Sequence, residues 1–231
     1  MAGLEARVKA VRERLRIAAQ AANRAPESLT LIAVSKTQGA EAVAKVAALG
    51  QRDFGENYLQ EALAKQAALA TQPLCWHFIG ALQSNKTRAV AEHFSWVHTV
   101  DRAKLAERLS AQRPRALGPL KVCLQVKLDP EETKAGVAPE DLVTLAEIVQ
   151  GCPGLELLGL MALPAPRTGF EAQRESLARL KALASALPPT ATVLSMGMSD
   201  DLEAAVAAGA THLRLGTALF GPRASKRENT P

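Results

Sequence analysis

The feature that most constrains this chain is an alternation. Short apolar runs rich in β-formers take turns with longer alanine-rich runs of helical spacing, from residue 29 to residue 215. The apolar runs predict strands over 29–35, 53–55, 76–79, 96–100, 120–127, 155–161, 192–195 and 212–215. Helices are expected between them over 40–49, 59–69, 86–93, 102–111, 139–149, 171–187 and 200–208, and a short piece follows Gly216. Strands separated by helices pair in parallel, because parallel neighbours need a crossover connection. Eight such units in 231 residues match a single α/β (β/α)8 TIM-type barrel, a fold of about 250 residues. The rival is an open doubly wound sheet, marked by a G-x-G-x-x-G turn after the first strand; here that turn reads Val34-Ser35-Lys36-Thr37-Gln38-Gly39. The expected organisation is one domain over 1–231, with an extra N-terminal helix within 1–25 and a polar, frayed tail over 224–231.

Apolar residues make up 48% of the chain but aromatic ones only 3%, so an aliphatic core is expected. The net charge of +5 raises the question of a nucleic-acid partner. The densest basic group, Arg7, Lys9, Arg12, Arg14 and Arg16, is interleaved at helical spacing with Leu4, Val8, Val11 and Leu15. That pattern predicts an amphipathic helix with a solvated basic face, and no aromatic-plus-basic pattern supports nucleic-acid binding. Cys75, Cys123 and Cys152 match no metal or redox spacing and are expected as buried reduced thiols; the histidines show no zinc-like pattern either. No run reaches membrane-spanning length and the N-terminus does not read as a secretory signal, so a cytoplasmic protein is expected. No apolar stripe demands a dimer, so a monomer is expected.

Barrel enzymes place their chemistry in the loops after the strands, and commonly bind phosphate after strands 7 and 8. Those two loops carry Gly197 and Ser199, then Gly216 and Thr217. Glycines let the backbone approach an anion and hydroxyls donate to it; plain N-capping by Ser199 ahead of Asp200-Asp201 accounts for part of the same pattern. Lys36 closes the first strand, where it is a phosphate contact, a carbonyl-attacking amine or a solvated end. On the last strand His212, Arg214 and Gly216 alternate with Leu213 and Leu215, which sends Arg214 inward, where it needs a ligand or an acid partner. His77 and His212 are expected as hydrogen-bonded core or rim residues.

The segments Leu31–Thr37, Phe54–Tyr58, Trp76–Gly80, Leu82–Lys86, Gly159–Met161, Ser195–Asp201 and Arg214–Gly221 together resemble the pyridoxal phosphate homeostasis proteins, whose barrel is shared with fold-type III enzymes such as alanine racemase. The similarity spans nearly the whole chain. It implies that Lys36 holds pyridoxal 5′-phosphate as a Schiff base and that Ser199, Gly216 and Thr217 bind its phosphate, with Gly197 in the same loop. It further implies Arg214 facing the pyridine nitrogen, Asn57 near the ring, Met161 among the cofactor-binding residues, and Lys134 on the cofactor side.

The resemblance implies a carrier that buffers the cofactor and maintains vitamin B6 homeostasis, with apo forms of pyridoxal-dependent enzymes as partners. The alternative is a pyridoxal-phosphate-dependent racemase-type enzyme. Racemisation needs two bases on opposite faces of the substrate, and the only tyrosine, Tyr58, is expected in packing or hydroxyl bonding. A sugar-phosphate barrel enzyme needs a carboxylate at a strand end, for which only Glu56 qualifies.

Overall fold

The computed structural model describes residues 3–129 and 135–222. Lys134 and the tail expected over 224–231 lie outside the described residues. A helix α1 (Leu4–Ala21) precedes eight strands: β1 (Thr30–Val34), β2 (Asp53–Glu56), β3 (Cys75–Phe78), β4 (Trp96–Val100), β5 (Leu120–Gln125), β6 (Leu155–Met161), β7 (Val193–Ser195) and β8 (His212–Leu215). They pair in parallel, each with its successor, and β8 returns to β1 to close the barrel. The crossover helices are α2 (Ala40–Ala48), α3 (Leu59–Ala68), α4 (Thr87–His93), α5 (Ala103–Gln112), α6 (Leu142–Gln150), α7 (Phe170–Ala184) and α8 (Leu202–Ala208), and α9 (Thr217–Phe220) follows β8. The (β/α)8 barrel with an N-terminal helix is the expected architecture.

Differences from the expected boundaries have local causes. Helix α7 stops at Ala184 rather than 187: residues 185–187 continue only as i→i+3 turns, and Leu187, directly before Pro188, is disfavoured in helical geometry. Strand β5 ends at Gln125, and Val126 makes only an isolated bridge to Val137. Helix α8 begins at Leu202, because the Asp201 carboxylate turns back to accept the Met198 N–H at 2.6 Å.

Helices meet the sheet through aliphatic residues one turn apart, such as Val43, Val46 and Ala47 on α2 or Leu105, Ala106 and Leu109 on α5. The barrel interior departs from the expected aliphatic core. It holds His77 stacked on Trp96 (ring centroids 5.4 Å apart), with His98 and His212 beside them. A closed barrel must fill its axis from inward-facing side chains alone, and here flat aromatic rings do so. A separate buried cluster of Trp96, Cys123, Met161 and Val193 packs with them.

The first helix is more than a solvated basic face. Val8, Val11 and Leu15 are buried as expected, but Arg7 donates to the Leu219 carbonyl at 2.9 Å. Arg14 donates to Glu203 at 2.8 Å and to the Ser199 carbonyl at 3.2 Å. Arginine forks thus fasten α1 behind the loops that follow β7 and β8. No described helix is long and apolar enough to cross a membrane.

Candidate functional site

At the C-terminal end of the barrel a cavity of about 220 Å³ opens between the ends of β1, β2, β3, β6, β7 and β8. Lys36, Asn57, Ser199, Arg214, Gly216 and Thr217 all line it, together with Val34, Ile79, Leu163, Met198 and Asp200. Residues scattered from 34 to 217 converge because every parallel strand delivers its following loop to the same rim.

Lys36 sits in a turn just beyond β1, half-buried. Its neighbours are tied down: the Ser35 hydroxyl donates to Glu56 Oε1 at 2.6 Å, and the Thr37 N–H donates to Glu61 at 2.9 Å. Lys65 is buried within α3 and pairs with Glu56 at 2.6 Å. Burial pushes the Glu56 carboxyl above its ordinary value, against the pull of Lys65 and Ser35. Glu56 is therefore enclosed behind Lys36 and is not among the residues lining the cavity. Lys65 was invisible in the sequence, where it reads as one more charge on an alanine-rich helix.

On the opposite wall the Ser199 Oγ accepts the Ala218 N–H at 3.4 Å. Asp201, not Ser199, is the N-cap residue of α8, so the Ser199 hydroxyl is turned toward the first turn of α9. Gly197 has φ +90°, and an added Cβ would lie 2.6 Å from that of Ala205. Only glycine lets this loop pass so close to α8. Gly197 is buried below the cavity, and Met198 and Ser199 form its lining. Met161 is also buried in the lumen cluster and does not line the cavity.

Arg214 lies inward on β8, as the alternation predicts; its hydrogen-bond partners are not acids, and Asp201 acts on it only through its charge. Nη1 donates to Ser195 Oγ at 2.8 Å and Nη2 to the Ala162 carbonyl at 2.9 Å. Burial pushes the guanidinium down to about 10. Asn57 Oδ1 is buried without a hydrogen-bond partner, and an unsatisfied buried acceptor on a cavity wall is a place for a ligand donor. Tyr58 is 54% exposed rather than packed, and lines a neighbouring cavity of about 540 Å³. The structure also gathers Asp53, Cys75 and His77, whose ligand-type atoms lie within 4.8 Å of one another. Sequence spacing did not show this group because it joins two strands through their register, Asp53 opposite Cys75.

Fold and mouth together define a barrel of the alanine racemase N-terminal class, and the family described as "Alanine racemase, N-terminal domain" matches residues 7–224. A curated relative from Pseudomonas aeruginosa, named pyridoxal phosphate homeostasis protein, is 58% identical over 96% of this chain and 97% of its own. One of the same name from Escherichia coli is 49% identical over 92% and 94%. The solved structure of PipY from Synechococcus elongatus PCC7942 with PLP bound superposes with a TM-score of 0.83, at 40% identity, over 95% of this chain and all of that one. This chain belongs to the family of pyridoxal phosphate homeostasis proteins.

Proposed function

We propose that the mouth cavity binds pyridoxal 5′-phosphate and that the protein carries and buffers this cofactor in the cytoplasm, without turning over amino acids itself. The observation that carries this reading is a single cavity in which an amine, Lys36, faces the glycine–hydroxyl loops of Ser199, Gly216 and Thr217. The donor set fits the ligand: hydroxyls and the backbone of a helix start suit a phosphate dianion, and the orphaned Asn57 Oδ1 suits a hydroxyl on the ring. The cavity is smaller than the roughly 300–1,000 Å³ of drug-sized sites, in keeping with one ring and one phosphate. The PLP-bound state of PipY and the name shared by the relatives support the same reading.

When bound, the cofactor supplies an aldehyde and an electron-withdrawing ring. The remaining roles belong to this chain. Lys36 is the covalent attachment point, held by the fixed backbone of Ser35 and Thr37. Ser199 and Thr217 donate to the phosphate, and Gly216 lets the backbone approach it. Arg214 faces the pyridine nitrogen and, as a cation, disfavours its protonation, which keeps the ring a weak sink for electrons. Tyr58 lies in the adjoining cavity, away from Lys36, which supports carriage over racemisation. Apo forms of pyridoxal-dependent enzymes are the proposed recipients.

The test is to incubate the purified protein with pyridoxal 5′-phosphate, reduce it with borohydride, digest it and map the pyridoxyl mass. The expected result is label on the peptide containing Lys36, lost in Lys36→Ala. Label confined to other lysines overturns the attachment point, and no label with no spectral change overturns the cofactor reading.

A further inference from the structure

A line of polar side chains crosses the barrel interior beneath the cavity. Arg214 Nη1 lies 2.8 Å from Ser195 Oγ. That oxygen lies 2.8 Å from His98 Nδ1. His98 Nε2 lies 3.0 Å from His77 Nδ1, and His77 Nε2 lies 2.9 Å from Asp53 Oδ1. Ser195, His77 and His98 are completely buried. Asp53 opens β2, so its carboxylate sits at the N-terminal rim, opposite the cavity.

The chemistry of the two ends forces one direction. A guanidinium can only donate, so Ser195 Oγ accepts from Arg214 and has its own hydrogen to give to His98 Nδ1. A carboxylate can only accept, so His77 Nε2 donates to Asp53. A neutral imidazole with hydrogen on Nε2 presents Nδ1 as acceptor, so His98 Nε2–H donates to His77 Nδ1. Reasoning from either end gives the same pattern, and each contact in the line has one donor and one acceptor. Burial lowers both rings below the ordinary imidazole value, which keeps them neutral as this pattern requires.

We infer that Ser195, His98, His77 and Asp53 form a one-way hydrogen-bonded chain that positions Arg214 in the cavity from the opposite rim of the barrel. None of the four lines the cavity, so they act through Arg214 and are positioning residues. A buried guanidinium whose acceptor is lost must find another or turn; the chain holds its Nη1 corner while the Ala162 carbonyl holds Nη2. The role toward the pyridine ring rests on the proposed cofactor site, whereas the chain itself does not.

Nitrogen-15 NMR of the ligand-free protein reads the imidazole tautomers directly. At neutral pH both His77 and His98 are expected as Nε2–H; an Nδ1–H tautomer at either overturns the direction. Zinc added to the same sample is expected to leave the His77 Nε2–H in place, because that proton already occupies the contact with Asp53. Stoichiometric loss of that signal makes Asp53, Cys75 and His77 a metal site and overturns the chain's terminus.

Coupling is read with Asp53→Leu, at a rim position whose side chain is 30% exposed, against Asp53→Asn, which keeps a carbonyl acceptor. Asp53→Leu is expected to mix the tautomers and weaken pyridoxal 5′-phosphate binding about tenfold while inorganic phosphate binding holds, and Asp53→Asn to stay within about twofold of the parent. Unchanged tautomers and unchanged affinity in Asp53→Leu overturn the coupling. A parent protein that binds no pyridoxal 5′-phosphate defeats the cofactor reading alone, since the NMR measurement still decides the chain.

Discussion

Lys65 donates to the carbonyl oxygen of Ser35 at 2.7 Å, one residue before Lys36. The same ammonium holds Glu56 at 2.6 Å. A buried ion pair on α3 and β2 thereby fixes the backbone from which Lys36, the proposed attachment point, projects. The pair is an anchor whose value lies in its completeness, since removing one partner leaves the other charged and buried.

Lys65→Met is therefore expected to cost about 3–5 kcal/mol in urea unfolding, because the Glu56 carboxylate is stranded. Adding Glu56→Gln to it is expected to recover much of that loss. A double variant no more stable than Lys65→Met would show that the pair does not anchor this turn.

The proposed phosphate site at Ser199 and Thr217 makes a prediction that separates charge from ring. Ser199→Ala combined with Thr217→Ala is expected to weaken pyridoxal 5′-phosphate binding by about 1.5–3 kcal/mol for each donor lost, while pyridoxal binding changes little. Calorimetry on both ligands provides the comparison. Equal losses for the two would move the phosphate away from these loops.

Gly197→Ala is expected to destabilise the fold by more than about 1 kcal/mol, since alanine is strained at positive φ. The added methyl also meets Ala205 Cβ at 2.6 Å, pushing the loop that carries Ser199 off α8. Thermal unfolding and cofactor affinity are expected to fall together. Full stability in this variant would contradict the close packing of the β7 loop on α8.

Acid sensitivity follows from the rings in the lumen. Burial first of all lowers His77, His98 and His212, the last to about 4. Unfolded imidazoles titrate near 6.5, so between about pH 6.5 and 4 the unfolded chain binds more protons. The stability from these neutral rings is full above about pH 6.5 and is lost as pH falls below it; for His212 the loss is about 1.4 kcal/mol per pH unit down to about pH 4. A melting temperature that does not fall between pH 7 and 5 would show that the rings are already charged in the fold.

The carrier reading predicts chemical quiet. Purified, cofactor-loaded protein is expected not to racemise or decarboxylate alanine, serine, lysine or ornithine above a Lys36→Ala background. Sustained Lys36-dependent turnover, followed by chiral chromatography, would favour the racemase-type alternative.

The alternation of strand and helix signals was enough to specify the barrel, because parallel pairing and its crossover helices are dictated by local period and chain order. The boundaries of β4, β6 and β8 coincide with their apolar runs. Loop position at strand ends likewise marked Lys36, Ser199, Gly216 and Thr217, since a parallel barrel sends every such loop to one rim. The inward aim of Arg214 followed from period two along β8. Its partners did not, because Ser195 and Ala162 reach it through the closure of the barrel and no spacing encodes that. Nothing in the sequence set Lys65 apart from the other charges of its helix, and Arg7 and Arg14 read as a solvated face; each became structural when an element distant in sequence supplied a carbonyl or a carboxylate. Met161 and Gly197 kept their places near the site in sequence, yet packing turned one into the lumen and the other against α8. Local chemistry determined which elements form and which rim they face; only the tertiary structure decided which polar groups meet, because burial makes each of them find a partner wherever in the chain it lies.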